Sequence, residues 1–259
     1  MAIVNHQGGS AKTTTAVCLA TALVEREHRV LLVDLDPQGR ASAWLGIRTS
    51  GRALLEALVE HGDLAAVAHP TEAGVDLVPC GLAFAGLERV AAGEPGAETL
   101  LRHAMTRLPP GRWDFAFCDC PPSLNLASVN ALVAAQAVLV PLTAHVLSME
   151  PLARLLETLK RVRERLNPGL RLSGLVACRV DHRTNHGPEV VTLLRERFGT
   201  NVYNVSVREN VRLAEAPGFR KPITLYAPHS SGAVDYRQLA NEFEQREKTH
   251  AEKTHPATR

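Results

Sequence analysis

At 259 residues the chain is long enough for one large α/β domain or two small ones. Its 45% hydrophobic content excludes disorder and collagen-like composition. A formal net charge of +2, from 29 basic against 27 acidic residues, excludes a globally basic nucleic-acid binder, so any such role needs a local patch.

The five cysteines (Cys18, Cys80, Cys118, Cys120 and Cys178) lie in or beside apolar runs, odd in number and without a C-x-x-C pair. That pattern reads as buried reduced thiols rather than disulfides or a metal site. The eleven histidines lack ligand spacing with acidic or cysteine partners. The N-terminus has no basic-then-apolar signal segment, and no run approaches the roughly 18 uncharged apolar residues of a membrane helix. A soluble, cytoplasmic protein is expected.

The first predicted strand, Ala2–Asn5, runs into VNHQGGSAKTTT, Val4 to Thr15, and a helix over Thr13–Arg26. The ordinary phosphate-loop pattern G-x-x-x-x-G-K-[ST] fails twice here, because its glycine places hold His6 and Ala11. Even so, a glycine-rich strand-to-helix turn binds anions for a simple reason. The first helical turn has unpaired N–H groups and a positive dipole end, and small residues let a phosphate approach the backbone. Gly8 and Gly9 supply that freedom, Lys12 a charge for the β/γ-phosphates, and Thr13 a ligand for Mg²⁺. Taken alone, the stretch fits an ordinary βα turn equally well.

The second predicted strand, Arg29–Asp34, opens VLLVDLDPQGRAS, which sets Asp34 and Asp36 on either side of Leu35. A helix over Ala53–Glu60, a loop at HPTEAG (His69–Gly74), a strand at Val75–Pro79, a loop at AGEPGAE and a helix over Glu98–Arg107 follow. Strand Phe115–Asp119 ends FAFCDCPPS with Asp119. Beyond it the pattern predicts helix Ala127–Ala135, strand Ala137–Leu142, helix Glu150–Leu166, strand Leu172–Cys178, helix Glu189–Phe198, strand Asn201–Val207 and helix Val234–Arg246. RVLLVD and AVLVPL are apolar without alternation, as in strands covered on both faces. The fold class is α/β: a doubly wound, mostly parallel sheet flanked by helices. No linker divides it, so one domain is expected over residues 1–246. The polar tandem EKTHAEKTH within residues 247–259 is expected as a frayed helix end or disordered tail.

In such a sheet, carboxylates at strand C-termini point toward one edge, where ligands of open α/β sheets bind. Asp34, Asp36 and Asp119 therefore converge on the Lys12–Thr13 loop, the arrangement a magnesium nucleotide requires. Turn or cap duty is the structural alternative for each aspartate.

With these residues assembled, the sequence resembles the ParA/Soj family of partitioning ATPases, within the deviant-Walker P-loop class that also contains MinD. That class carries K-G-G-x-G-K-[ST]. The family's D-x-D-P-Q-G appears as DLDPQG, its D-x-P-P-S as DCPPS, and its N-V-R-L-x-E-A-P-x-x-x-K-P as NVRLAEAPGFRKP, Asn210 to Pro222. The likeness covers Ala2 to about Phe243. Three places depart from it: Gln7 stands for the signature lysine, Ala11 for the last loop glycine, and Arg208-Glu209-Asn210 for a Pro-Arg-Asn. Ala11 costs roughly 1 kcal/mol if its φ is left-handed. Gln7 keeps a hydrogen-bond donor but removes a cation, and transition-state charge stabilisation is worth several kcal/mol.

The resemblance implies ATP or ADP with Mg²⁺ as cofactors. It places Gln7, Gly8, Gly9, Ser10, Ala11, Lys12, Thr13 and Thr14 around the phosphates, with Cys178, Arg208 and Asn210 at the adenine. Lys12 and Asp36 become the catalytic residues, Asp36 holding the attacking water. Thr13 would ligate the metal, with Asp34 and Asp119 holding it through its waters. It further implies an ATP-dependent homodimer, non-specific DNA as a partner, a ParB-like centromere-binding protein as stimulator, and association with the nucleoid. Arg179, Arg183, Arg208, Arg212, Arg220 and Lys221 are the candidate DNA-phosphate contacts, against a solvated surface balanced by Asp181, Glu209 and Glu215. Gln7 motivates one alternative, a nucleotide-gated DNA- or partner-binding module with little hydrolysis. A MinD-like membrane-recruited ATPase is disfavoured, because REKTHAEKTHPATR lacks the apolar face such a role needs. With the first strand opening the chain, no helix-turn-helix for operator binding is expected ahead of it.

Overall fold

The computed structural model describes residues 1–144, 149–184 and 186–254. Its strands are β1 (Ala2–Ile3), β2 (Val30–Asp34), β3 (His69–Pro70), β4 (Asp76–Val78), β5 (Phe115–Asp119), β6 (Ala137–Thr143) and β7 (Arg171–Cys178). The first helices are α1 (Lys12–Val24), α2 (Arg40–Trp44), α3 (Arg52–Val59), α4 (Leu87–Val90), α5 (Leu100–Thr106) and α6 (Leu126–Ala134). The remainder are α7 (Met149–Arg165), α8 (His186–Phe198), α9 (Val211–Glu215), α10 (Ile223–Tyr226) and α11 (Ser231–Thr254). The strands form one sheet in the order β3-β4-β2-β5-β1-β6-β7, parallel throughout except at the β3–β4 edge.

Successive residues of a strand face opposite sides of the sheet, and here both sides are apolar. Leu31, Val33, Val138 and Val140 enter one core, beneath α3, α5, α6, α7 and α8. Val30, Leu32 and Leu139 enter the other, beneath α1 and α11. Helix α1 is almost wholly internal, with Ala16 through Ala20 fully buried, which explains its alanine-rich composition. All five cysteines are buried free thiols, as expected. Among the described residues, no helix is long and apolar enough to cross a membrane.

Three segments differ from expectation. His69–Pro70 is not plain loop: it pairs antiparallel with β4, at an edge where proline's missing donor does no harm. Residues 201–207 do not form a strand. They run beside β7 with isolated bridges at Leu175–Val202 and Val180–Arg208. The ladder breaks because the consecutive N–H groups of Asn204 and Val205 both turn to the Glu242 carboxylate, at 2.9 Å each. Helix α11 continues past Arg246 to Thr254, where a frayed or disordered tail was expected. Glu247 accepts hydrogen bonds from Arg171 and from Ser173, and Arg246 lies 4.0 Å over the Tyr203 ring, so the added turns are anchored to β7 and its neighbour. The last five residues, 255–259, lie outside the described residues.

Register decides what reaches the site. Ile3 and Asp34 both pair with Asp119, so β1, β2 and β5 end level and release their loops at one edge.

Candidate functional site

The loop after β1 is fixed at its root by Asn5, whose Nδ2 donates to the Pro141 carbonyl at 2.7 Å and whose Oδ1 accepts the Gln7 N–H at 2.9 Å. Gly8 and Gly9 are exposed, and nothing lies within 4 Å of where a Cβ would sit on either, which leaves an open cradle. Ala11 ends the loop at φ 64°, in the left-handed region, at a cost of about 1–2 kcal/mol for a residue with a side chain. No side chain caps α1, and the helix's first internal acceptor is taken by the Thr15 N–H, 2.8 Å from the Ala11 carbonyl. The N–H groups of the first turn are thus left to a ligand or to solvent.

Lys12 is buried, and its Nζ donates to the Gln7 carbonyl at 3.2 Å. Burial lowers its pKa; Asp119, Cys120 and Asp36 oppose that, and Arg40 adds to it. Asp34 is fully buried and well bonded. Its Oδ2 accepts the Ser42 N–H at 2.9 Å and the Ser42 hydroxyl at 2.7 Å, and its Oδ1 accepts the Asp36 N–H at 3.1 Å. Burial still pushes its pKa up to about 6. Asp36 accepts the Gln38 N–H at 3.0 Å through Oδ1. Asp119 is fully buried, and neither of its oxygens has a hydrogen-bond partner among the described residues. Burial raises its pKa well above the usual carboxylate range, Asp34 and Asp36 add to the rise, and Thr13 and Lys12 oppose it. The Ser10 hydroxyl is likewise buried without a partner.

A cavity of about 1240 Å³ opens over this edge. Residues 8–14, Asp36, Cys178, Arg208 and Asn210 line it, joined by Arg179 and Arg183, which were expected to face DNA instead; Gln7, Asp34, Asp119, Arg212, Arg220 and Lys221 are not among its lining residues. Cys178 forms part of the floor beside Thr15, which also bonds the Tyr236 hydroxyl at 3.3 Å. Burial pushes the Cys178 thiol up to about 12, so it packs rather than reacts.

Most of the predicted DNA-binding arginines are engaged within the chain. Arg179 pairs with Glu209 at 3.2 Å, Arg183 with Asp181 at 2.9 Å, and Arg212 with Glu215 at 3.0 Å. Arg208 grips Asp235, with Nη2 at 2.6 Å and Nε at 3.0 Å, while its own N–H reaches the same carboxylate at 2.9 Å. Arg220 and Lys221 are exposed and, among the described residues, their side chains have no ion pair. Asp181 and Glu215 lie two and three positions from their arginines and Glu209 adjoins Arg208, so all three were named as balancing acids from sequence; Asp235, 27 positions from Arg208, was not. Sequence reading also missed Asn5 and Ser42, because bracing contacts depend on the fold, and it gave no task to Arg40, which lines the cavity.

The donor set suits a phosphate with its metal. Free first-turn N–H groups and Lys12 face the cavity beside a buried carboxylate that lacks a well-formed hydrogen bond among the described residues, Thr13 being the hydroxyl nearest to supplying one. Comparison with known proteins bears on the same point. The chromosome partitioning protein ParA of Caulobacter vibrioides is 40% identical over 253 residues, covering 96% of this chain and 94% of that protein. The chain belongs to the ParA/Soj family. The chromosome-partitioning ATPase Soj of Thermus thermophilus is 43% identical over 242 residues, covering 93% of this chain and 94% of its own. An AAA domain family matches residues 1–172. Among solved structures, the cobyrinic acid a,c-diamide synthase of Mycobacterium smegmatis, with bound ADP and magnesium, superposes at a TM-score of 0.81. It is 32% identical, and the match covers 93% of this chain and 91% of that one.

Proposed function

We propose that this chain is a ParA/Soj-type partitioning ATPase that binds ATP with Mg²⁺ at the α1 loop. In this reading it dimerises around the nucleotide, holds DNA without sequence readout, and hydrolyses slowly under stimulation by a ParB-like partner. One observation carries it: a fully buried carboxylate, Asp119, with no well-formed hydrogen bond among the described residues beyond the approach of the Thr13 hydroxyl, close to the lysine and free N–H groups of a glycine-rich helix start. A buried polar group without a partner costs about 1–3 kcal/mol, and more when charged, so its retention points to a ligand that satisfies it.

In this proposal Lys12 exchanges the Gln7 carbonyl for the β/γ oxygens, and the N–H groups of Gly8 to Thr14 wrap the phosphates. Thr13 and Asp119 would hold magnesium, directly and through its water, with Asp34 bracing α2 through Ser42. Bound magnesium supplies charge neutralisation of the β- and γ-phosphates. Asp36 would orient the water in this proposal; its Oδ1 is occupied by the Gln38 N–H, and its Oδ2 has no partner among the described residues. The DNA role falls first to Arg220 and Lys221, the two of the six candidate cations without an ion pair among the described residues, then to Arg212. A cytoplasmic, nucleoid-associated location follows from that role.

Gln7 supports a second reading, a nucleotide-gated module that binds but hardly hydrolyses, because only its backbone addresses Lys12 and its neutral side chain is not on the cavity wall. Turnover of wild type, Gln7→Lys and Asp36→Ala, measured with DNA and partner present, separates the two. Brisk wild-type turnover abolished in Asp36→Ala favours the ATPase. A rate that rises only in Gln7→Lys favours the module. Absence of any ATP or ADP affinity by calorimetry removes both.

A further inference from the structure

The cavity contains a cation that the reading above leaves without a task. Arg40 opens α2 and lines the same cavity as Lys12 and Asp36. It is exposed, and among the described residues its guanidinium makes no hydrogen bond or ion pair. Its neighbours around the cavity are otherwise occupied, Arg179, Arg183 and Arg208 each by a carboxylate of this chain.

Although the side chain is free, its backbone is held from three directions. Gly39 sits at φ 58° with the Cys80 carbonyl 2.7 Å from where a Cβ would lie, so the turn admits only glycine and is backed by β4's loop. Ser42 binds the Asp34 carboxylate through N–H and hydroxyl, and its Oγ accepts the Cys80 N–H at 2.9 Å. At the far end of α2, Trp44 Nε1 donates to the Lys221 carbonyl at 2.8 Å. A fixed Cα with an unengaged, flexible guanidinium suits capture of an anion entering the cavity. The charge count points the same way. A triphosphate brings about four negative charges, of which magnesium would offset about two, and against the rest the loop itself offers Lys12 alone. Arginine's planar fork matches phosphate oxygens bidentately.

We infer that Arg40 is a phosphate-binding residue of this site, closing on the terminal phosphate of a nucleoside triphosphate from the α2 side of the cavity. This rests on the nucleotide reading above and adds to it a residue and a preference, triphosphate over diphosphate. Arg40 also feeds positive potential to Lys12, in keeping with the two cations facing one anion.

The test is calorimetric titration of the full chain with ATP and with ADP at fixed magnesium, for wild type, Arg40→Ala and Arg40→Lys. Arg40→Ala should weaken ATP about tenfold or more and ADP less than threefold, with Arg40→Lys retaining most ATP affinity. The Arg40→Ala melting temperature should match wild type, because the side chain is exposed and makes no hydrogen bond or ion pair among the described residues. Equal losses for ATP and ADP, ATP affinity within twofold of wild type, or a clear drop in melting temperature would each overturn the assignment while wild-type binding left the nucleotide site standing. If wild type bound neither nucleotide, the site reading itself would fall.

Discussion

The two ends of α1 obey different chemistry. Past its C-terminus, Arg26 donates to Glu244 through Nε at 2.8 Å and Nη2 at 2.6 Å, and Lys248 reaches the same carboxylate at 2.6 Å. Arg237 binds Glu25 at 2.6 Å, and Phe115, Phe117 and Phe243 stack beside them with ring centroids 5.4–6.4 Å apart. At the N-terminus, a carboxylate and a hydroxyl are buried without a well-formed hydrogen bond among the described residues, a lysine is buried beside them, and the helix starts from a left-handed alanine. The first end is locally complete and stabilises the fold; the second is locally deficient and awaits a ligand.

The sharpest way to break this contrast is to substitute one charged residue at each end. Lys12→Ala should cut ATP affinity by about a hundredfold, ~3 kcal/mol, with little loss of melting temperature. Glu244→Ala should do the reverse, lowering the melting temperature and leaving affinity within twofold. Titration calorimetry and thermal melts on both variants check it. Matching losses of affinity would mean that the two ends are not separable.

Next in size is Asp119→Asn, which removes the unpartnered carboxylate while keeping its shape. We expect a stabilisation of about 2 kcal/mol, near 5 °C in melting temperature for a chain of this length, together with loss of the magnesium dependence of ATP binding. A variant that melts lower than wild type would show that Asp119 is satisfied in the free protein, and the deficiency argument would fail.

The deficient end was the more legible in sequence, and the reason is physical. Gly8, Gly9, Lys12 and Thr13 must lie close together along the chain to form one turn, and Asp34, Asp36 and Asp119 must end strands, so a linear reading finds them. The strands themselves were legible as unalternating apolar runs, with seven-strand order beyond reach because neighbours such as β1 and β5 are far apart in sequence. Complete regions hide. The Arg26–Glu244 and Arg208–Asp235 pairs span 218 and 27 positions, and neither residue type nor spacing announces a partner. Arg40 and Ser42 lay inside a motif already quoted, yet their tasks depend on Cys80 and Asp34 meeting them in space.

The ends also carry opposite pH signatures. Glu244 is held down to about 2 by Lys248 and then Arg26, from an ordinary 4.5, so its contribution is present above pH 4.5 and is lost as pH falls toward 2. Asp34 is raised to about 6 from 3.8, so its contribution is present below pH 3.8 and is lost as pH rises through 6. Melting temperature followed from pH 3 to 7 should therefore have a shallower acid limb in Glu244→Gln, Asp114 supplying the remainder, and a shallower decline above about pH 4 in Asp34→Asn, Asp119 supplying the remainder. A slope of the same sign from both residues would contradict the assignment of one to each regime.

The smallest effect is the most discriminating, because both ends of α1 contain a left-handed residue with a side chain. Ala11 has φ 64° at the start, and Glu27 has φ 68° just past the end. Glu27 occupies an ordinary helix-closing position: its N–H donates to Val24 at 2.9 Å, and the His28 N–H donates to Leu23 at 3.2 Å. Ala11 closes nothing and instead aims the first turn at the cavity. Glycine at either place relieves about 1 kcal/mol of backbone strain, less the entropy it adds to the unfolded chain, so each variant should melt up to about 3 °C higher. Only Ala11→Gly should also touch function, weakening ATP two- to threefold as the freed loop must be ordered on binding. If Glu27→Gly weakened ATP equally, or if Ala11→Gly changed stability alone, the left-handed alanine would be an accident of the turn rather than part of how the site is aimed.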